Sequence, residues 1–281
     1  MHVRHFSEPS QFAAAAEAFL LAREAENNLM LGLFAQLADG RREGKGDPAL
    51  YVVYDDSGAV VGAALWAGYQ LIFSRSTPEG YAELADYLAS HGMRYPKASG
   101  PASEISAFAL ADLGRTGMPH APGPVMRLMQ AKVVVEPSRP AGGYARIATA
   151  DDLAVATQWS DAFTNELNMA ARDRAARILK TIQERQVLLW CDPEPVSMAI
   201  VVGETKHGAR IGSVYTPPER RRRGYASACV AELGKRLIGQ GREFVYLYAE
   251  ATNKTSNHIY ESLGFEPVCD WQEFDLDPQT A

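Results

Sequence analysis

Apolar residues return at helical spacing over Ser10 to Leu37, with Phe12, Ala16, Phe19 and Leu20 on one face, so the chain is expected to open in helix. Extended segments follow. Ala49 to Tyr54 and Val60 to Ala67 flank Asp55, Asp56, Ser57 and Gly58, a cluster of turn formers that predicts a hairpin. Gln70 to Ser74 reads as another strand, and Thr77 with Pro78 suits the cap and first turn of a helix over Glu79 to Ser90. An apolar segment at Ile105 to Leu113 and a strand at Val125 to Val135 complete this half.

The segment Glu136 to Gly143, EPSRPAGG, concentrates proline and glycine as linkers do. This predicts one domain over residues 1–135, a linker over 136–143 and a second domain over 144–281. Past the linker the order repeats. Thr149, followed by Asp151 and Asp152, opens a helix reaching Phe163, and a second helix covers Ala171 to Glu184. Strands at Val187 to Cys191, Val196 to Gly203 and Ala209 to Tyr215 lead to helix Tyr225 to Ile238. Strand Phe244 to Ala249, helix Ser256 to Leu263 and strand Trp271 to Leu276 finish the pattern. Each half also places a helix at a Gly-Tyr-Ala triplet, Gly80 to Ala82 and Gly224 to Ala226. The expected fold class is therefore α/β, with a mixed α+β sheet, as two similar domains in tandem.

Composition narrows what such a chain does. Of 281 residues, 47% are hydrophobic and 22% charged, enough apolar material for a core in each half. A net charge of −6 opposes general binding of nucleic acid, whose phosphates demand broad positive surfaces. Cys191, Cys229 and Cys269 are odd in number and lack metal-ligand spacing, so no metal is expected and a reduced cytoplasmic setting is. Met1 to Gln11 has no apolar core of a secretion signal, and no apolar run is long enough for a bilayer, so no membrane role is expected.

The sharpest chemistry lies in Val214 to Ser227, VYTPPERRRRGYAS, which joins a strand to a helix. Pro217 and Pro218 stop the strand, Gly224 allows close backbone approach, and small Ala226 and Ser227 leave the helix start uncrowded. The free amides of that start, with the helix dipole, favour an anion. Ala226, Cys229, Val230, Leu233 and Leu237 share one apolar face that would anchor the helix to a sheet. Arg220 to Arg223 add positive charge just before it. No Gly-Lys-Ser/Thr closes the turn, which disfavours a nucleotide P-loop.

This stretch resembles the acyl-CoA signature of the GCN5-related N-acetyltransferase superfamily, Gln or Arg, two residues, Gly, one residue, then Gly or Ala. Arg221, Gly224 and Ala226 match it. Asn253 to Phe265, NKTSNHIYESLGF, resembles the other half of that signature, an Asn-rich turn and a helix carrying a tyrosine before Leu-Gly-Phe. Within it Ser256 is the expected N-cap and Gly264 the C-terminal stop.

The resemblance implies a tandem pair of acyl-CoA N-acyltransferase-like domains that uses acetyl-CoA as co-substrate and no metal. It implies that backbone groups of Val214, Tyr215 and Thr216 hold the pantetheine arm, and that amides of Arg222, Arg223, Gly224, Tyr225, Ala226 and Ser227 wrap the pyrophosphate behind Arg221. Tyr260 would protonate the departing thiolate, and Asn253 would hold the pantetheine or the helix start. A small-molecule or peptide amine would be the acceptor; Glu250 and Glu204 are carboxylates near the site with no clear claim as base. The first half offers only SRSTPEGYA, Ser74 to Ala82, in the corresponding turn, so it is expected to be a degenerate domain. Alternatives are another acyl-CoA, a role in thiol biosynthesis, or a coenzyme A-binding regulatory module without turnover.

Overall fold

The computed structural model describes residues 1–38, 49–66, 68–167 and 174–276. The expected strand end at Ala67 and the helix start at Ala171 lie outside them. The elements run β1 (His2–Phe6), α1 (Pro9–Leu21), α2 (Asn28–Ala38), β2 (Leu50–Tyr54), β3 (Val60–Trp66), β4 (Leu71–Phe73), α3 (Pro78–Ser90), β5 (Lys97–Pro101), α4 (Ala102–Thr116), β6 (Ala121–Pro122) and β7 (Met126–Ala131). They continue with β8 (Tyr144–Ile147), α5 (Leu153–Glu166), α6 (Arg174–Gln183), β9 (Val187–Cys191), β10 (Pro195–Glu204), β11 (Gly208–Tyr215), α7 (Tyr225–Gly239), β12 (Phe244–Glu250), α8 (Lys254–Ser262) and β13 (Glu266–Asp275). Contacts divide the chain into two compact units: Met1–Leu128 with Ala249–Thr252 and Pro267–Ala281, and Met129–Tyr248 with Asn253–Glu266.

In the first unit β1, β2, β3 and β4 pair antiparallel in chain order, β4 runs parallel to β5, and β5 pairs antiparallel with β13. The last strand of the chain thus completes this sheet, in a register from Trp271 opposite Pro101 to Asp275 opposite Lys97. Tyr51, Phe73, Tyr81, Leu84, Leu88 and Phe108 form the core between sheet and helices α3 and α4. The opening helical stretch is two helices rather than one. Asn27 Nδ2 donates to the Leu20 carbonyl at 2.9 Å and Asn28 Nδ2 to the Ala25 carbonyl at 2.6 Å, so these side chains satisfy carbonyls that a continuous helix would have bonded itself.

In the second unit β8, β9, β10 and β11 are antiparallel neighbours, and β11 runs parallel to β12. Helix α7 packs on this sheet through Cys229, Val230, Leu233 and Leu237, all buried, while Ala226 is only partly covered. Each fully buried aliphatic side chain of this kind contributes about 1.5–3 kcal/mol, which makes α7 a fixed wall. Before α5, Thr149 and Asp152 form a reciprocal capping box, as the Thr149 start predicts.

Four short strands escape the sequence pattern: β1, β5, β6 and β8. Lys97–Pro101, KASGP, carries no β-branched residue, and only its neighbours in the sheet make it extended.

Candidate functional site

The strand leading into the arginine run departs from regular pairing. Met198 faces Tyr215 and Ile200 faces Gly212, so Ser213 and Val214 oppose Ala199 alone, and Ser213 takes the left-handed φ of 47°. On the other side β11 pairs with β12 only from Gly208 opposite Phe244 to Arg210 opposite Tyr246. Beyond Arg210, among the described residues, the β12-facing edge of β11 has no paired strand. An unpaired edge is a row of backbone donors and acceptors able to accept an extended amide-bearing ligand as a pseudo-strand.

The turn after β11 is shaped for an anion. Arg222 has φ 63° and Gly224 φ 82°, and these two left-handed residues turn the chain between the extended Arg221 and the start of α7. The first hydrogen bond of α7 runs from Ala228 N to Gly224 O at 3.0 Å, and no side chain caps the helix. Among the described residues, the N–H groups of Arg222, Arg223, Gly224, Tyr225, Ala226 and Ser227 donate to no protein acceptor. Six consecutive unspent donors at the positive end of a 15-residue helix are the kind of arrangement that can accept an oxyanion.

The arginines divide. Arg221 donates through Nε to the Thr216 carbonyl at 2.9 Å and through Nη2 to Glu166 Oε1 at 2.6 Å, with its guanidinium over the Tyr215 ring. Arg222 and Arg223 are exposed. Thr216 is buried, and its hydroxyl shares a 2.9 Å hydrogen bond with Ser197, which ties the start of the turn to β10.

Asn253 caps α8, its Oδ1 accepting from Ser256 N at 3.0 Å. The expected cap at Ser256 is thus corrected: Asn253 sits three residues upstream of the donor, the spacing a side-chain cap requires. Gly264 ends the segment at φ 88°. Tyr260 is half-buried, edge-on to Phe265 at 6.1 Å between ring centroids, and packs with Val214 against the same apolar cluster. Burial pushes its phenol up to about 12, so it holds its proton throughout the neutral range. Tyr260 and the β11 edge therefore belong to one packed group within the unit.

Of the two carboxylates, Glu204 pairs with Arg242 at 2.5 Å and Glu250 accepts from the Thr252 hydroxyl at 2.6 Å. Among the described residues no cluster of His, Cys, Asp and Glu is arranged to hold a metal ion, and no helix is long and apolar enough to cross a membrane. Sequence reasoning missed Glu166, Ser197 and Asp192 as neighbours of the turn, since each reaches it only through the fold.

The turn in the first unit is built differently. Gly80 lies inside the first turn of α3 rather than capping it, so the two Gly-Tyr-Ala triplets are not equivalent. Thr77 Oγ1 accepts from Gly80 N at 3.1 Å, and Pro78 at the first helical position has no N–H to offer. Arg75 is engaged by Glu26 and, at 3.3 Å, by Glu104. Strand β4 pairs with β3 without a bulge.

The chain is a mixed α/β protein with the fold of solved structures described as GCN5-related N-acetyltransferases, one of them a tandem protein. More particularly, residues 193–274, which contain both the arginine turn and α8, match the family of FR47-like proteins. The chain is similar in structure to a GNAT-family acetyltransferase from Colwellia psychrerythraea (TM-score 0.63, 12% identity, 99% of this chain and 100% of that one). It is also similar to a GCN5-related N-acetyltransferase from Sphaerobacter thermophilus (TM-score 0.62, 17% identity, 98% and 96%). A tandem GNAT protein from the clavulanic acid biosynthesis pathway aligns over 97% of this chain and 98% of its own, with TM-score 0.56 and 13% identity. Comparison with curated proteins finds no match.

Proposed function

We propose that the second unit is an N-acetyltransferase that moves an acetyl group from acetyl-CoA to an amine by direct attack. The observation that carries this reading is the run of six unspent amides from Arg222 to Ser227 beside an unpaired strand edge. That pairing suits a ligand with a pyrophosphate at one end and an amide-bearing arm at the other, which is the build of coenzyme A. The backbone of Val214, Tyr215 and Thr216 would receive the arm.

Proton movements follow from the side chains present. An amine attacks only as the neutral base, so its proton must leave before the new C–N bond forms. After attack the nitrogen sheds a second proton to solvent, the C–S bond breaks, and Tyr260 Oη gives its proton to the sulfur and regains one from solvent. A phenol raised to about 12 is a full proton reservoir at neutral pH. The acceptor is a small-molecule or peptide amine.

For the first unit we read a degenerate domain without a donor site. Its helix is capped by its own Thr77, its arginine is neutralised by two carboxylates, and β4 pairs with β3 without the bulge found between β10 and β11. The three free thiols suit a reducing, cytoplasmic setting.

The test is calorimetric titration with coenzyme A followed by thiol-release assays over amines, amino acids, aminoglycosides and peptides. One coenzyme A per chain and turnover with at least one acceptor are expected; no binding would overturn the reading. Binding without turnover, with Tyr260→Phe unchanged in thiol release, would favour a regulatory module. Faster release from a longer acyl-CoA would reassign the donor.

A further inference from the structure

Tyr225 is the first residue of α7 and directly follows left-handed Gly224, and its side chain is buried. Its hydroxyl donates to Asp192 Oδ2 at 2.5 Å. Asp192 lies in the tight turn between β9 and β10, where its own N–H donates to Glu194 O at 2.8 Å. A charge-assisted bond therefore runs from the sheet to the residue in the middle of the amide run.

Neighbouring contacts belong to the same assembly. A Cβ built on Gly224 would lie 3.6 Å from both the Arg139 carbonyl and the Ala141 methyl, and one on Gly142 would lie 3.7 Å from Asp192 Oδ2. Trp190 Nε1 donates to the Gly142 carbonyl at 2.8 Å. The proline- and glycine-rich segment thus packs between the β9–β10 turn and the start of α7, closing the amide turn from the flank.

Two physical points give Asp192 a role beyond filling space. The apolar face of α7 holds it to the sheet, but hydrophobic contact is non-directional and tolerates a small slide or rotation. Amides converging on phosphate oxygens do not, because hydrogen bonds weaken steeply with misalignment. Moreover, a carboxylate one tyrosine side chain from an anion site opposes the anion by Coulomb repulsion. The Arg223 guanidinium, which also acts on the Tyr225 hydroxyl, offsets part of that repulsion, and the geometry Asp192 fixes must outweigh the remainder.

We infer that Asp192 is a positioning residue for the donor's pyrophosphate, acting through the Tyr225 hydroxyl to hold the amides of Arg222 to Ser227 in place. The inference rests on the reading of this turn as a coenzyme A site. Neither residue touches reacting atoms.

The experiment is calorimetric titration of the full chain with coenzyme A for the parent, Tyr225→Phe, Asp192→Ala, Asp192→Asn and the double variant Tyr225→Phe/Asp192→Ala. Loss of one charge-assisted bond predicts about tenfold weaker binding for Tyr225→Phe and Asp192→Ala. The double variant should be no weaker than either single one, because the two residues act as one contact. Asp192→Asn, whose amide oxygen still accepts, should stay within about threefold of the parent. With acetyl-CoA the KM should rise while kcat holds, and S-acetylpantetheine, which lacks the pyrophosphate, should be used equally well by all variants. Unchanged affinity, or tighter binding by Asp192→Ala with Tyr225→Phe unaffected, would overturn the inference. So would equal losses with both donors, which mark a merely structural role. A parent chain that binds no coenzyme A would instead remove the reading beneath it.

Discussion

Arg221 and Glu166 meet at 2.6 Å, joining the arginine turn to the last residue of α5. The signature arginine is thus a strut, with Nε on the Thr216 carbonyl and its plane over Tyr215. Both partners are more than two-fifths exposed, so the ion pair itself contributes about 0.2–1 kcal/mol. Arg221→Ala, which removes all three contacts, should raise the KM for acetyl-CoA about tenfold, whereas Glu166→Ala should change it less than about threefold. Steady-state kinetics at two salt concentrations will separate them, the Glu166 effect fading at high salt.

On the proposed function, amides rather than arginine side chains bind the pyrophosphate. Arg222→Gly should therefore keep coenzyme A affinity within about threefold, since glycine adopts φ 63° freely and retains the amide. Gly224→Ala should bind at least about tenfold more weakly. A Cβ at 224 finds nothing nearer than 3.6 Å, so strain at φ 82°, not crowding, is the cause. Titration with coenzyme A checks both, and opposite results would return the role to the side chains.

Tyr260→Phe should lower kcat about a hundredfold with little change in KM. The alkaline limb of the parent's rate profile should fall near pH 12 rather than near 10, because burial raises the phenol and the acid role needs its proton. Stopped-flow thiol release between pH 7 and 11 tests this; a limb near pH 10 would show that burial leaves the phenol unshifted, and a profile unchanged by Tyr260→Phe would reject Tyr260 as the acid.

Stability of the second unit has its own titration. Asp152 takes both Nη1 and Nη2 of Arg146, at 2.6 and 2.7 Å, and the Thr149 N–H at 2.8 Å. The Arg146 hydrogen bonds hold its carboxyl below the usual range. A depressed folded value contributes stability that is full above the unfolded value of about 3.9 and is lost as pH falls through the folded one. Asp152→Ala should lower stability by about 1–3 kcal/mol at pH 7, with the difference shrinking below about pH 4. Urea unfolding followed by the fluorescence of Trp159 and Trp190 would measure it.

The sequence by itself determined features whose causes lie within a few residues. Thr77 and Pro78 start α3, Thr149 and Asp152 cap the entry to α5, Gly264 stops the α8 segment, and the apolar stripe of α7 faces inward. The arginine turn and the tyrosine before Leu-Gly-Phe were legible for the same reason, since both are short contiguous patterns. Local rules also misplaced one cap, because Asn253 and Ser256 are both good capping residues and only the chain's path selects between them.

Tertiary structure decided the rest. Whether Arg221 faces a ligand or Glu166, whether Tyr225 finds Asp192, and whether β5 becomes a strand beside β13 all depend on distant residues, from 33 positions apart for Tyr225 and Asp192 to 178 for Lys97 and Asp275. No local spacing encodes those meetings. They follow from packing, because sheets and helices must bury their apolar faces, and in doing so bring distant polar groups into reach. The bulge at Ser213 is of this kind: its residue type does not ask for a left-handed φ, and only the mismatch in register between β10 and β11 imposes it.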